Sequence, residues 1–445
     1  VNGDDHLADR LGRVLGGTVT SVRRLSGGAS RITSAVELVE PDGTGRALIL
    51  QQRRGHGLTP GTDVAMEAAL LRAARRLAVP VPGVVAAGRD DGLDEGWLVV
   101  DRLEGESIAR RILRDEDYVD ARARLVADLA SALARIHAIP PDGVVGLPRA
   151  DPLRRPLPFL DATGEVRPVL ELAGRWLEAN RPVPTGRTLV HGDYRMGNFL
   201  VDESGLRGVL DWELAHAGDP AEDIGWLTAP PWRFGGAGDV GGLGRLDEFL
   251  SEYSRAGGAV VDRATVRWWQ VYATLKWAVI CALQAAAHLS GAVRSVELAA
   301  IGRRVCESEW DLLGLMGVDR PGPPVESADG PAAPAPFGRP SIRELVEAVE
   351  GYLRDKVQPA TEGAAGFDAR VAANVLAVVV RELALGPEAE AAHRGRLGQL
   401  SMADDRELSA SIRGGECDGR LDQVGAVLAG SVLDELRVAN PAYLS

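Results

Sequence analysis

Apolar positions along the chain follow two rhythms. Over the first hundred residues they come as short runs bounded by turn residues, at 19–25, 32–39, 47–51 and 97–101, the spacing of strands. An amphipathic helix at 6–15, closed by Gly16 and Gly17, precedes them, and a helix at 62–77 interrupts them. From residue 107 the period lengthens. Residues 118–137 place Leu125, Leu129, Leu133 and Ile136 on one helical face. Residues 141–184 are rich in Pro and Arg and are expected to cross the surface irregularly. Short runs at 188–190, 198–201 and 206–210 return to the strand pattern. Helices are predicted at 246–256, 265–289 and 293–315.

Proline, glycine and alanine then crowd residues 317–340, which lack apolar periodicity and read as a linker. Helical spacing resumes at 341–356, where Ser341 stands as N-cap with Glu344 three residues on, and continues at 368–384, 387–397 and on to 436. Composition adds little beyond class: 445 residues, 45% hydrophobic and 25% charged, suit a soluble globular chain. The net charge of -13 speaks against a nucleic-acid partner. The longest apolar stretch, 271–289, is broken by Lys276, Gln284 and His288 and reads as a buried helix rather than a membrane span. The acidic N-terminus lacks the features of a leader, so a cytoplasmic location is expected. Cys281, Cys306 and Cys417 form neither a zinc spacing nor a disulfide framework.

The chemistry concentrates in HGDYRMGNFLVDESGLRGVLDWELAHAGDPAED, from His191 to Asp223. A strand hairpin brings Asp193, Asn198 and Asp211 together at its ends, and oxygen donors are what a hard cation such as Mg²⁺ selects. Phosphoryl transfer needs that division: one carboxylate to orient or deprotonate a hydroxyl, and a metal to neutralise phosphate charge. Asp219, Pro220 and Glu222 have the order of a helix start and read as structural. Upstream, Ser26, Gly27, Gly28, Ala29 and Ser30 form a glycine turn between strands, whose main-chain N–H groups could face anionic oxygens. Trp232, Trp268, Trp269 and Trp277 suit either a partly apolar substrate cavity or the core. His137, at a helix end, reads as a packing residue.

These motifs resemble the aminoglycoside phosphotransferase and choline kinase-like proteins, whose catalytic loop has the form HGDxxxxN and whose metal-binding DWE or DFE is followed by GDPxxD. Here they are His191-Gly192-Asp193, Asn198, Asp211-Trp212-Glu213 and the run Gly218 to Asp223. The resemblance implies an α+β, protein kinase-like two-lobe fold followed by a separate all-α C-terminal domain. Residues 1–104 would form the N-terminal lobe, 105–316 the larger lobe, 317–340 the linker and 341–445 the helical domain. It further implies ATP and Mg²⁺ as cofactors, with Asp193 as catalytic base, Asn198 and Asp211 as metal ligands, and His191 and Asp223 in structural support of the loop. On the nucleotide side it implies the 26–30 turn over the phosphates, Glu67 as the acid that pairs with a phosphate-binding cation, and Arg102 and Leu103 at the adenine-reading hinge. Gln51 and Gln52 stand where that cation is expected, and Arg53 is the substitute.

The LSGGxS loop, the VPVP link and DWE are similar to the acyl-CoA dehydrogenase-associated branch. The expected activity is phosphorylation of a small-molecule hydroxyl, on a hydroxyacyl compound, a sugar, an amino alcohol or an antibiotic. The alternative is a catalytically weak or inactive nucleotide-binding regulator acting through residues 341–445, which offer a surface for a protein partner or self-association. That region, through RVAANVLAVVVRELALG and VANPAYL, resembles a domain of unknown function that follows such phosphotransferases.

Overall fold

The computed structural model describes residues 3–25, 31–53, 63–88, 96–149, 156–322 and 340–444. Along the chain, α1 (Gly3–Leu15) leads into β1 (Thr18–Arg24), β2 (Arg31–Val39) and β3 (Gly45–Arg53). Then come α2 (Val64–Arg76), β4 (Val84–Gly88), β5 (Trp97–Asp101), α3 (Ala109–Arg114) and α4 (Val119–His137). Next are α5 (Pro156–Thr163), α6 (Pro168–Ala179), β6 (Thr188–Val190), β7 (Phe199–Asp202), β8 (Gly205–Val209) and β9 (His216–Gly218). The remainder is helical: α7 (Ala221–Thr228), α8 (Leu246–Arg255), α9 (Arg263–Leu289), α10 (Val296–Gly302), α11 (Val305–Met316), α12 (Ile342–Tyr352), α13 (Gly363–Gln399), α14 (Asp405–Arg413) and α15 (Leu421–Ala439). The fold is α+β with a largely helical C-terminal region. Contacts gather the chain into two compact units, Val1–Ala150 with Pro182–Trp269, and Asp151–Arg181 with Gln270–Ser445.

The first unit opens with an antiparallel sheet in the order β1-β2-β3-β5-β4. Alternation along the strands turns Val36, Leu38, Leu48, Leu50, Trp97 and Val99 into one core with Leu11 of α1. Asp63 caps α2 through Ala65 N, and the helix buries Val64, Glu67, Ala68, Leu70, Leu71 and Ala74. Beyond the sheet, β6 pairs with β9 and β7 with β8, both antiparallel. A bridge between Glu106 and Val201 ties the segment after β5 to that second hairpin, with N–H to O distances of 2.8 and 3.0 Å in the two directions. Helix α4 lies against α8 and β8. Close approach of α7 to the start of α9 depends on Gly225, where a Cβ would stand 2.3 Å from the Trp269 Cβ and 2.7 Å from its carbonyl carbon.

The second unit is helical. Helices α14 and α15 pack on α6, and α15 also lies along α11 and α13. Charge pairs and a hydrogen bond stitch the unit: Arg413 holds Asp161 and Glu171, Arg175 holds Asp418, and Asn440 donates to Glu307 at 3.0 Å. The expected capping box of Ser341 and Glu344 opens α12. All three cysteines are free and buried.

Several expectations change. The stretch 141–184 holds α5 and α6, with Pro156 first in one and Pro168 first in the other, the position at which a missing N–H costs nothing. The helix expected at 293–315 is two, divided at Arg303 and Arg304 just after Gly302. Conversely, α13 runs unbroken through Pro387. The carbonyl that loses its partner belongs to Leu383, a residue 45% exposed, so water can satisfy it. Among the described residues, helix α13 rather than 271–289 is the one long and apolar enough to cross a membrane, with a mean hydropathy of 1.5 in an 18-residue window. Here it packs on α12 and α15, and Arg381 donates to Val438 O at 2.6 Å. Trp232, Trp268 and Trp269 are buried in the core, while Trp277 is half-buried.

Gly225→Ala is expected to overpack the α7–α9 contact and cost about 1–3 kcal/mol, read as a lower urea midpoint with an unchanged slope.

Candidate active site

Strand β6 ends at Val190, and the chain then turns on Gly192, whose φ is +82°. A Cβ there would also stand 2.4 Å from Leu214 O, so both conformation and space demand glycine. The turn is pinned from behind. Asp223, in the first turn of α7 and fully buried, accepts from His191 N at 2.7 Å and Gly192 N at 2.9 Å. His137 Nε2, from the end of α4, lies 3.1 Å from the same carboxylate, and His137 Nδ1 lies 2.6 Å from the Tyr253 hydroxyl of α8. With Nε2–H donating to Asp223, Nδ1 is left to accept from Tyr253, and each group has a partner. Burial alone would raise the Asp223 pKa, but the hydrogen bonds from His137 and from the His191 backbone N–H hold it below the ordinary carboxylate value. Burial lowers the pKa of His191, which packs its ring 4.7 Å from that of Trp212 and accepts weakly from Asp193 N at 3.3 Å. His137 is therefore a positioning residue as well as a packed one.

Asp193 follows the pinned turn and is 8% exposed. Its Oδ1 accepts from Arg195 Nε at 2.9 Å and Trp226 Nε1 at 2.8 Å, and its Oδ2 accepts from Asn198 Nδ2 at 2.6 Å. Asn198 also donates to the Asp193 carbonyl at 2.9 Å. The amide nitrogen of Asn198 is thus committed to the loop, which leaves its oxygen as the end suited to a cation. Arg195 lies over the Trp232 ring at 4.5 Å, and Trp232 lies 5.2 Å from Trp226. Sequence reasoning missed Arg195 and Trp226. A cation two residues past Asp193 was the available signal for the first; nothing local marked the second.

Asp211 leaves β8 with φ +63°, a left-handed conformation that Asp tolerates better than most residues and that clusters at functional sites. Asp219 accepts from Ala221 N at 2.9 Å, as a helix start requires, and from Thr185 N at 2.7 Å; burial nevertheless raises its pKa. Glu222 does not complete a capping box, because its carboxylate lies 3.0 Å from His216 Nε2. Among the described residues no group of three or more His, Cys, Asp or Glu gathers as a metal nest.

On the nucleotide side, Ser26, Gly27, Gly28, Ala29 and Ser30 lie outside the described residues. Strand β3 does continue through Arg53, paired in register with Arg31, but the Arg53 side chain is likewise outside them. Gln52 is buried on the sheet and Glu67 is buried on α2. Arg102 is anchored by Glu37 at 2.8 Å and Glu104 at 3.2 Å, and its N–H is spent on Ala47 O, so a hinge contact there falls to the backbone of Leu103.

Residues 21–269, more than half of the chain, match the model of the phosphotransferase enzyme family, and residues 359–443 match a domain of unknown function (DUF6285). Among solved structures, a Ralstonia eutropha protein assigned to the aminoglycoside phosphotransferases aligns at a TM-score of 0.56 and 18% identity, over 69% of this chain and 97% of that one. A thermostable aminoglycoside phosphotransferase variant bound to AMP-PNP and hygromycin B aligns at a TM-score of 0.47 and 16% identity, over 70% of this chain and 97% of that one. The mouse acyl-CoA dehydrogenase family member 10 is 38% identical over 61 residues; this match takes in 13% of the present chain and 6% of the mouse protein.

Asp223→Asn is expected to cost about 2–4 kcal/mol, because it removes the charge that two backbone N–H groups and an imidazole address. The Asp223 contribution is fully present above the unfolded carboxylate value of ~3.9 and is lost as pH falls through the lower folded value. Denaturation midpoints of parent and variant should therefore converge as the pH is taken toward the acid limit of folding.

Proposed function

Since the chain belongs to the phosphotransferase enzyme family, we propose that it transfers the terminal phosphoryl group of ATP to a hydroxyl of a small molecule, in a Mg²⁺-dependent reaction. The observation that carries this reading is the environment of Asp193, a carboxylate fixed by Arg195, Trp226 and Asn198 at the end of a pinned turn. In phosphoryl transfer the protein contributes mainly position and charge. Asp193 would receive the acceptor hydroxyl and take its proton as the oxygen bonds to phosphorus and the bond to ADP breaks. Arg195 sets a positive charge beside that carboxylate.

Magnesium, when bound, supplies neutralisation of the phosphate oxygens. The Asn198 oxygen and the Asp211 carboxylate would hold it. Two oxygen ligands, completed by phosphates and water, suit this cation, which seldom uses an all-protein cage. The Arg53 side chain, Glu67, the 26–30 turn and the Leu103 backbone would serve the nucleotide. Among acceptors, a hydroxyacyl compound stands first, supported by the DWE and LSGG forms and by the short likeness to the mouse acyl-CoA dehydrogenase relative.

Calorimetric titration of ATP into the full chain is expected to give binding that requires Mg²⁺ and weakens at least about tenfold in Asp211→Ala. Asp193→Asn should retain that binding and lose about 10²–10⁴-fold in acceptor-dependent ADP release. Folded parent protein that binds no Mg²⁺-ATP overturns the proposal.

A further inference from the structure

The second unit holds a cavity of about 350 Å³ among α13, α14 and α15, at the small end of the ~300–1,000 Å³ range of ligand pockets. Three side chains stand in line on its wall. His393 of α13 has Nδ1 2.8 Å from Ser431 Oγ of α15, and its Nε2 lies 3.1 Å from Asp405 Oδ2 at the start of α14. Arg396, also on α13, donates through Nε to the same Ser431 Oγ at 2.9 Å and is itself held by Asp434 at 2.5 Å. All five residues line the cavity.

The order of partners fixes the proton positions. An Nε2–H donated to Asp405 leaves the Nδ1 lone pair facing the serine hydroxyl. Asp405 lies in the first turn of a helix capped by Asp404, where the dipole favours its negative charge. Hydroxyl, imidazole base and orienting carboxylate are the constellation of acyl transfer, recognised by geometry and role rather than by fold. The guanidinium of Arg396 holds the serine oxygen in place between itself and His393. Carboxylates outnumber guanidiniums on the same wall, five against Arg167, Arg303 and Arg396, which disfavours an anionic phosphoester and leaves room for an uncharged or cationic substrate.

We propose that Ser431 is a nucleophile that hydrolyses small uncharged or cationic carboxylic esters, with His393 as its base. Ser431 Oγ bonds to the ester carbonyl carbon while its proton passes to His393 Nδ1. The alcohol leaves as its carbon–oxygen bond breaks, and it takes that proton. Water then attacks the acyl-serine, gives a proton to His393, and releases the acid as Ser431 recovers its hydrogen. Asp405 positions the imidazole.

The test is a fluorophosphonate serine probe applied to the full folded chain, with peptide mass spectrometry, beside p-nitrophenyl acetate hydrolysis. Formation of the Oγ–phosphorus bond expels fluoride and marks the nucleophile. The expected result is one label, on Ser431, with labelling slowed about a hundredfold in His393→Gln and in Asp405→Asn, and no ester turnover in Ser431→Ala. Circular dichroism identifies which of the two slowed variants is folded, and that one is used. Folded parent protein without probe on Ser431, or a folded variant labelled at the parental rate, overturns the proposal.

Discussion

A carboxylate with no access to water holds the loop that carries Asp193. Asp223 is fully buried, and desolvating such a charge costs several kcal/mol unless donors replace the lost water. Here the replacement is complete: two consecutive backbone N–H groups on one side and the His137 imidazole on the other. Because the two N–H groups are consecutive, the carboxylate fixes a peptide plane and not merely a point. The left-handed turn at Gly192 and the aim of Asp193 follow from that plane. Tyr253 and His137 extend the constraint to α8 and α4, so the loop is registered against the helices beneath it.

The same logic repeats one residue further on. Donors to Asp193 come from its own loop and from α7, the helix that also supplies Asp223. One short helix thus sets both the support of the loop and the orientation of its carboxylate. Trp232 backs Arg195 and touches Trp226, which joins the cationic and indole donors into one packed group. A mutation in this aromatic cluster acts on the Asp193 carboxylate and on Arg195 through position, without altering either of them.

Much of this was legible in the chain. The strands announced themselves as short apolar runs between turn residues, and HGD with Asn198 marked the loop because Gly192 and Asn198 each answer a steric or hydrogen-bonding demand that few residues meet. What stayed hidden had physical reasons. Pro156 and Pro168 looked like interruptions, yet each opens a helix, since a proline tells where a helix cannot continue and equally where it can begin. Pro387 gave the opposite error, because packing along α12 and α15 outweighs one lost hydrogen bond. Strand β9 is three residues long and was masked by the turn chemistry around it. His137 sits far from Asp223 in sequence, and only tertiary contact gives it a role.

The Pro/Gly/Ala stretch before residue 341 invites the view that everything after it is a detachable appendage. The packing says otherwise. Leu408 and Ile412 of α14, and Leu428, Val432 and Leu436 of α15, are buried in a unit that also contains α6 and α11 from the other side of that stretch. Cutting the chain there would strip α6 and α11 of their apolar cover and leave Glu171 without Arg413. A truncated protein that aggregates would then report a core laid bare, and its silence in an assay would say nothing about catalysis. Dissection of this molecule has to follow contact rather than composition.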